Sequence, residues 1–393
     1  TLAKSVYSFL VKYLSKKIFT NIVFSKNKMI EDFLKNDNKY LPISPQYYFD
    51  IDTTGSNFSR SLSFKVSNII INNVEKKYFK LNEDHKVSIK FIFNEFISRA
   101  HNDMNSYSGF LNGAKSIISG TDNYYARLLT TICKKEKIEV MRFHHGGERC
   151  FYKDNWYWDS EYFQINKFFT YGSSWAKYSI KKASELNVSI EVKSLSSSYY
   201  RSLHKKFFHL KNNNSNKILY IPNSFVGEAR QFPFCKMIDP ILFDWQKYII
   251  ETLQKNGFEV IYKKHPKGFF QEENTLSKLA KFESTKPMIE ALEEADMVLC
   301  DMAGTAFIEA LCAGKDLVLI DTKQRPFDFE TKQDLEKSIK IIESYWKDNA
   351  LCIDEKMLID TFKNLKLDQL NKKKLIDDYF LTDSSLRSNY PTS

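Results

Sequence analysis

The sequence predicts an α/β chain organised as two units, each a parallel sheet covered by helices and the second followed by terminal helices. Three observations predict it. From Ala114 onward, short apolar runs that end in turn residues alternate with segments of helical periodicity. A purely polar stretch, Lys211-Asn212-Asn213-Asn214-Ser215-Asn216, interrupts the alternation and has the composition of a linker. The same alternation then restarts at Lys217.

Taken in order, the first fifty residues read as helical and then irregular around Pro42 and Pro45. A helix is expected over Val87–Arg99, a strand over Ala114–Ser119 and an amphipathic helix over Asp122–Lys135. A strand over Glu139–Phe143 runs directly into His144-His145-Gly146-Gly147. A strand over Phe168–Thr170 ends at Tyr171-Gly172, and Ser173 or Ser174 is expected to cap the helix that continues to Leu186. A strand over Ser189–Val192 closes the first unit.

In the second unit, strands are expected over Lys217–Ile221, Phe258–Tyr262, Met297–Cys300 and Asp316–Ile320. The helices between them cover Pro240–Asn256, Pro287–Ala295 and Thr305–Cys312. Beyond Phe327 the chain reads as helical to Phe380. The expected domains are 1–210, 217–345 and a terminal helical segment, 346–393, packing back on the first. Two such units describe two facing Rossmann-like domains, whose ligands bind beyond the carboxyl ends of the strands.

At 393 residues, 43% hydrophobic and 27% charged, the chain is long enough for two ordinary cores. A net charge of +10 favours an anionic partner. Because Lys, Asn, Ile, Phe and Tyr are all abundant, part of the charge is compositional and nucleic acid is not expected. The six cysteines (Cys133, Cys150, Cys235, Cys300, Cys312 and Cys352) form no C-x-x-C pair, which suits a reducing compartment and argues against a zinc ribbon. Cys133, Cys300 and Cys312 fall in apolar stretches and read as core.

No run of about 18 apolar residues suggests a membrane-crossing helix. Thr1–Phe24 lacks a small-residue cleavage site and does not read as a signal peptide. Val6, Phe9, Leu10, Tyr13, Leu14 and Ile18 instead recur at helical spacing among Lys4, Lys12, Lys16 and Lys17. Such a basic amphipathic helix either packs on a domain or lies on an anionic membrane surface. A cytoplasmic protein, with peripheral contact at the inner face of the membrane, is the expectation.

Two loops of the second unit carry chemistry. Asp301-Met302-Ala303-Gly304-Thr305 joins a buried strand to a helix beginning at Thr305. Glycine lets backbone approach a ligand, and the unpaired amides of a helix start suit a phosphate. The Thr305 hydroxyl either caps the helix or donates to that phosphate. Glu309, one turn on, suits ribose hydroxyls. Lys263-Lys264-His265-Pro266-Lys267 is a cationic strand tip whose proline keeps His265 extended. A histidine there can donate to a phosphate and help neutralise a leaving group; the alternative is a surface loop with scattered lysines. Ser224 and Arg230, after the first strand of this unit, are further donor or substrate contacts.

The combination of His265-Pro266 with the later Gly304-Thr305 loop resembles GT-B glycosyltransferases of bacterial surface-polysaccharide assembly. The likeness is to the families that share a His-Pro and a Ser/Thr motif and use CMP-linked sialic acid or Kdo for O-antigen, lipopolysaccharide and capsule. The resemblance spans Phe258–Asp321 and implies that His265 and Thr305, with Gly304, contact the nucleotide phosphate. Lys264, Lys267 and Asp301 belong to the same implied donor site. CDP-glycerol and CDP-ribitol phosphotransferases are laid out similarly, so UDP-, GDP- and CDP-linked donors remain alternatives.

Phe143-His144-His145-Gly146-Gly147-Glu148-Arg149 resembles the His-Gly-Gly segment of O-antigen and surface-polysaccharide transferases. In such an enzyme it faces the interdomain cleft, which makes His144, Gly146, Gly147 and Arg149 candidate substrate contacts. An inverting transfer needs a base for the acceptor hydroxyl, and Glu148 or His145 could serve. The acidic pair followed by glycine of the sialyltransferase families is missing here. Asp122, after Ser119-Gly120-Thr121, is a competing base or else a helix N-cap. Trp156-Tyr157-Trp158, with Tyr152 and Tyr162, could stack on sugar or simply pack.

The expected activity is transfer of a nonulosonic acid or Kdo from a CMP donor to a surface glycan or glycolipid, with no cofactor and no metal. A nucleotide-sugar epimerase and a non-catalytic assembly scaffold are the alternatives of other classes.

Overall fold

The computed structural model describes residues 21–24, 27–35, 40–42, 60–77, 79–108, 111, 113–120, 124–153, 161–208, 216–225, 237–265, 275–282, 286–295 and 297–387. The expected helix over residues 1–20, the linker residues 211–215, the Trp156–Trp158 segment, Asp122, Arg230, Pro266 and Lys267 lie outside them. The chain divides into two compact units, residues 1–143 with 161–167 and residues 144–160 with 168–393.

The first unit runs β1 (Asn21–Val23), α1 (Lys28–Leu34), β2 (Tyr40–Pro42), α2 (Arg60–Lys77), α3 (Glu83–Ser108), β3 (Ser116–Ser119), α4 (Tyr124–Lys135) and β4 (Glu139–Phe143). Its strands pair in parallel in the order β2-β1-β3-β4. The expected helix through Phe24 is therefore corrected over Asn21–Val23. Ile22 and Val23 are β-branched and buried, and a strand between two others lets both faces leave water. Strand β2 escapes the sequence because it is three residues long and ends on proline, which an end strand tolerates. Arg142 is fully buried in β4 and donates to the Glu161 carbonyl at 3.2 Å and to Ser119 Oγ at 3.4 Å.

The second unit begins with β5 (Lys167–Thr170), α5 (Ser173–Glu185), β6 (Glu191–Ser194) and α6 (Ser198–Phe207). It continues with β7 (Lys217–Ile221), α7 (Asp239–Lys255), β8 (Glu259–Tyr262), α8 (Thr275–Leu279), β9 (Lys281–Phe282) and α9 (Met288–Glu293). Next come β10 (Met297–Cys300), α10 (Thr305–Cys312), β11 (Asp316–Asp321), α11 (Phe329–Glu336) and β12 (Lys340–Glu343). Strands β7 to β12 form one parallel sheet in the order β12-β11-β10-β7-β8-β9. Its central strands are apolar on both faces: Ile218, Leu219, Val298, Leu299, Leu317 and Val318 are all fully buried. Ile249, Ile250 and Leu253 of α7 join that core, each worth about 1.5–3 kcal/mol of burial.

The α/β class, with parallel sheets and C-terminal helices, is what the alternation predicts. Two parts of the expected second unit and tail are corrected. Beyond Phe327 the chain is not all helical: it adds β12, a hairpin of β13 (Tyr345–Lys347) and β14 (Ala350–Cys352), and only then α12 (Glu355–Lys363) and α13 (Gln369–Ile376). A π-helical turn, Asp377–Leu381, leads into β15 (Ser384–Arg387), which lies antiparallel to β6. Short β-branched runs such as Ile341-Ile342 pair because β11 offers an open edge, a tertiary fact that periodicity does not carry.

The cap of α5 is Gly172, not Ser173 or Ser174. A Cβ on Gly172 would stand 2.5 Å from the carbonyl oxygens of Asp378 and Tyr379, so only glycine admits the π-turn here. Lys372 of α13 is fully buried and donates to the carbonyls of Gly314 (3.1 Å) and Lys315 (3.2 Å) and to Asp316 Oδ1 (3.3 Å). It thereby supplies a cation at the carboxyl end of α10. Cys133, Cys300 and Cys312 are buried and free, as expected of core cysteines. Among the described residues, no helix is long and apolar enough to cross a membrane.

Candidate active site

In the six-stranded sheet the chain moves outward from β7 to β8 and β9, then returns to β10 beside β7 and moves the other way. The order reverses between β7 and β10, and a crevice beyond the carboxyl ends of those strands is the favoured ligand position in such a sheet. Asp301 joins the two strand ends. Its buried carboxylate accepts the Tyr220 hydroxyl at 3.0 Å and the Asn223 backbone N–H. Burial pushes this carboxyl up to about 7, against the hydrogen bonds that favour its charged form. Asp301 thus ties the two loops together from a position that also lines the crevice.

Gly304 caps α10 with extended backbone and no side-chain hydrogen bond. The first-turn amides of α10 lie at the switch point, where an anion is favoured. Thr305 is exposed there, Gly304 is half-buried, and Ser224 is half-buried beyond the end of β7. Glu309 lies one turn further along α10 and is hydrogen-bonded to the Tyr199 hydroxyl. His265 is exposed at the end of β8, whereas Lys264 is buried. Strand β7 separates β8 from β10, so the two loops flank Pro222–Ser224 and are not neighbours in the sheet.

The His144–Arg149 loop belongs to the same unit. Gly146 and Gly147 have φ of +78° and +88°, a conformation that favours glycine. A Cβ on Gly146 would collide with the Glu148 carboxylate and stand 2.7 Å from Thr305 Oγ1. Glu148 therefore folds its carboxylate over Gly146, beside the first residue of α10. Its Oε2 is buried and has no hydrogen-bond partner among the described residues. His145 is exposed on the same loop.

His144 and Arg149 are both buried within this unit. His144 Nδ1 accepts the Gly147 N–H at 3.0 Å, and the ring lies parallel to that of Trp175. Burial, with Arg149 nearby, holds His144 well below the usual histidine range, so it is neutral. Arg149 is 7% exposed and begins a 3-10 turn, Arg149–Phe151, that leads to Tyr152.

That turn is tied to the loop after β11. The Phe151 carbonyl accepts the Asp328 N–H at 2.9 Å, and Lys153 N–H donates to the Pro326 carbonyl at 2.8 Å. Tyr152 then does two things: its hydroxyl accepts the Ala303 N–H at 2.8 Å, and its ring lies under the Arg325 guanidinium, 3.9 Å from the centroid. Neither Arg325 nor Gln324 is singled out by the sequence, where Lys323-Gln324-Arg325 reads as an ordinary polar turn. A clue is position: this turn directly follows a buried strand of the unit that holds Gly304-Thr305.

No family model matches the chain, and no curated protein matches it. Among solved structures the chain is similar to MurG from Acinetobacter baumannii, at 10% identity over 91% of this chain and 93% of that one, with a TM-score of 0.46. It is similar to UDP-GlcNAc 2-epimerase from Methanocaldococcus jannaschii in complex with UDP-GlcNAc and UDP, at 12% identity over 91% and 98%, with a TM-score of 0.48. It is also similar to the glycosyltransferase SnogD from Streptomyces nogalater, at 8% identity over 91% and 94%, with a TM-score of 0.43. At such distances only the side chains of the site speak to its chemistry.

Proposed function

We propose that this chain is a glycosyltransferase that binds a nucleotide-activated sugar at the β7–β10 switch point and transfers the sugar to a glycan or glycolipid hydroxyl. The observation that carries the proposal is the meeting of Glu148, Gly146 and Thr305. A buried carboxylate oxygen with no hydrogen-bond partner among the described residues lies beside the amino end of α10, where a phosphate is favoured. In the proposed step Glu148 accepts the proton of the acceptor hydroxyl, whose oxygen bonds to the anomeric carbon. The bond from that carbon to the donor phosphate breaks, and the phosphate leaves with the electron pair. The α10 amides and the Thr305 hydroxyl stabilise the departing charge, and His265 supplies a further donor from the end of β8.

The finer form of the proposal takes a CMP-linked acidic sugar as donor and a bacterial surface glycan as product. It draws on the His265-Pro266 and Gly304-Thr305 resemblance. Attachment of the basic segment 1–24 to an anionic membrane, on the cytoplasmic side, belongs to the same proposal. Liposome co-sedimentation with residues 1–24 removed tests that attachment, and unchanged binding rejects it.

The donor test is a thermal-shift panel of CMP, CDP, UMP, UDP and GDP on wild type and His265→Ala, since a bound nucleotide stabilises the fold by mass action. Stabilisation by CMP, lost in the variant, supports the CMP form. Stabilisation by another nucleotide redirects the donor, and no response to any sinks the transferase. Consumption of a nucleotide sugar without an acceptor favours an epimerase.

A further inference from the structure

The Gly146–Gly147 peptide is held at both of its polar ends. Its N–H, on Gly147, donates to His144 Nδ1 at 3.0 Å. Its carbonyl, on Gly146, accepts the Tyr200 hydroxyl of α6 at 3.4 Å. Both glycines have positive φ, at +78° and +88°, and glycine backbone has many other conformations open to it. Without these partners the peptide would be free to turn over. With a donor at one end and an acceptor at the other, a single orientation satisfies both polar groups.

Each of the two side chains is itself fixed. The His144 ring is fully buried, parallel to Trp175 and edge-on to Phe168 and Tyr171. Because Nδ1 accepts, the proton of the neutral ring sits on Nε2, which faces Cys150 Sγ at 3.7 Å. Tyr200 is buried with its ring 5.2 Å from that of Tyr171 and 5.8 Å from that of Phe380. Burial pushes its hydroxyl well above the ordinary tyrosine range, so it keeps the proton it donates. Gly147 is hemmed in as well, since a Cβ there would meet Ile308 at 3.0 Å and Tyr171 at 3.2 Å.

The residue that follows this peptide is Glu148, whose carboxylate folds back over Gly146 beside Thr305 Oγ1. We infer that His144 and Tyr200 are positioning residues: together they clamp the Gly146–Gly147 peptide and so hold the Glu148 carboxylate at the amino end of α10. The inference rests on the role of Glu148 proposed above, and both residues act through the peptide between them.

Two measurements test it, the first without any substrate. Gly146-Gly147 is the one pair of adjacent glycines in the chain. With every glycine carrying a carbon-13 carbonyl and nitrogen-15, only the Gly147 nitrogen is bonded to a labelled carbonyl, so its amide is followed alone in hydrogen exchange. That amide is expected to exchange about a hundredfold faster in His144→Leu than in the wild type. His144→Asn, whose Oδ1 takes the place of Nδ1 as acceptor, should restore most of the protection. Tyr200→Phe, which removes a single oxygen, carries the same test if His144→Leu does not fold. Fast exchange in the wild type, or protection unchanged in the variants, overturns the clamp whatever the donor is.

The second measurement is turnover of CMP-N-acetylneuraminate, or of UDP-glucose if UDP is the nucleotide that stabilises the fold, read as released nucleotide. His144→Leu should lower kcat by about 10²-fold with KM within about twofold, as a displaced group does. Tyr200→Phe should lower it roughly fivefold. In a Glu148→Gln background neither change should slow the residual rate further, because the group they hold is already gone. Equal losses in both backgrounds overturn the inference while the donor site and Glu148 stand. Undiminished turnover by Glu148→Gln instead removes the proposed base, and the clamp's role with it.

Discussion

The hydroxyl of Tyr152 accepts the backbone N–H of Ala303 at 2.8 Å, so the segment after the His144–Gly147 loop is pinned to the loop that starts α10. Tyr152→Phe keeps the ring under Arg325 but leaves a buried N–H without its partner. The expected loss is about 1–3 kcal/mol in urea unfolding. The nucleotide-induced thermal shift should fall with it, because the amides before Thr305 lose their tether. An unchanged shift would mean that the loop is held in place without Tyr152.

Gly146→Ala asks two things of one residue. Its φ of +78° strains an alanine, and the new Cβ meets Glu148 and Thr305 Oγ1. Gly257→Ala is the control, since Gly257 has φ of +88° but nothing within 4 Å. Both should lose about 1–2 kcal/mol from the backbone alone. Only Gly146→Ala should also lose donor turnover, read as released nucleotide.

Asp301 sets a pH dependence. Burial raises its folded pKa to about 7, well above the ordinary aspartate value of about 3.9. Below about pH 3 both folded and unfolded chains hold the proton, and its stabilising contribution is fully present. As pH rises toward 7 the unfolded chain releases the proton first, and stability falls by on the order of 4 kcal/mol. Asp301→Asn keeps an acceptor for Tyr220 and Asn223 and should flatten the profile between pH 5 and 8, read by chemical unfolding at each pH. A variant profile parallel to wild type would assign the slope to other groups.

Gly172→Ala should be among the most damaging single-methyl additions. The new atom meets backbone carbonyls of the π-turn, not the end of a flexible side chain. A loss at or above about 3 kcal/mol is expected, with the thermal midpoint as readout. A loss under about 1 kcal/mol would show that the π-turn gives way easily.

Much of this architecture is legible in the chain itself. Glu139–Phe143, Lys217–Ile221, Met297–Cys300 and Thr305–Cys312 are bounded by turn residues, and the structure places those elements at those bounds. What periodicity cannot carry is neighbourhood. It places His265 and Thr305 on successive strand–helix steps, but the sheet inserts β7 between their strands. It offers His144 and His145 as equals, but packing against Trp175 buries the first and leaves the second exposed. Glycines at 146 and 147 announce a close approach without naming Thr305 as the group approached. The pairing of Tyr152 with Arg325 has no local signature, because each is an ordinary residue until the fold brings them together.

The buried ammonium of Lys372 gives the C-terminal tail a stake in events at the far end of α10. An anion on the first turn and a cation just beyond the last turn, on the Gly314 and Lys315 carbonyls, would polarise the same short helix in one direction, so each would make the other's position more favourable. Lys372→Met would therefore act at a distance. It would weaken anion capture at Thr305 while leaving every group in the crevice intact, and distant changes in the tail would register as changes in affinity.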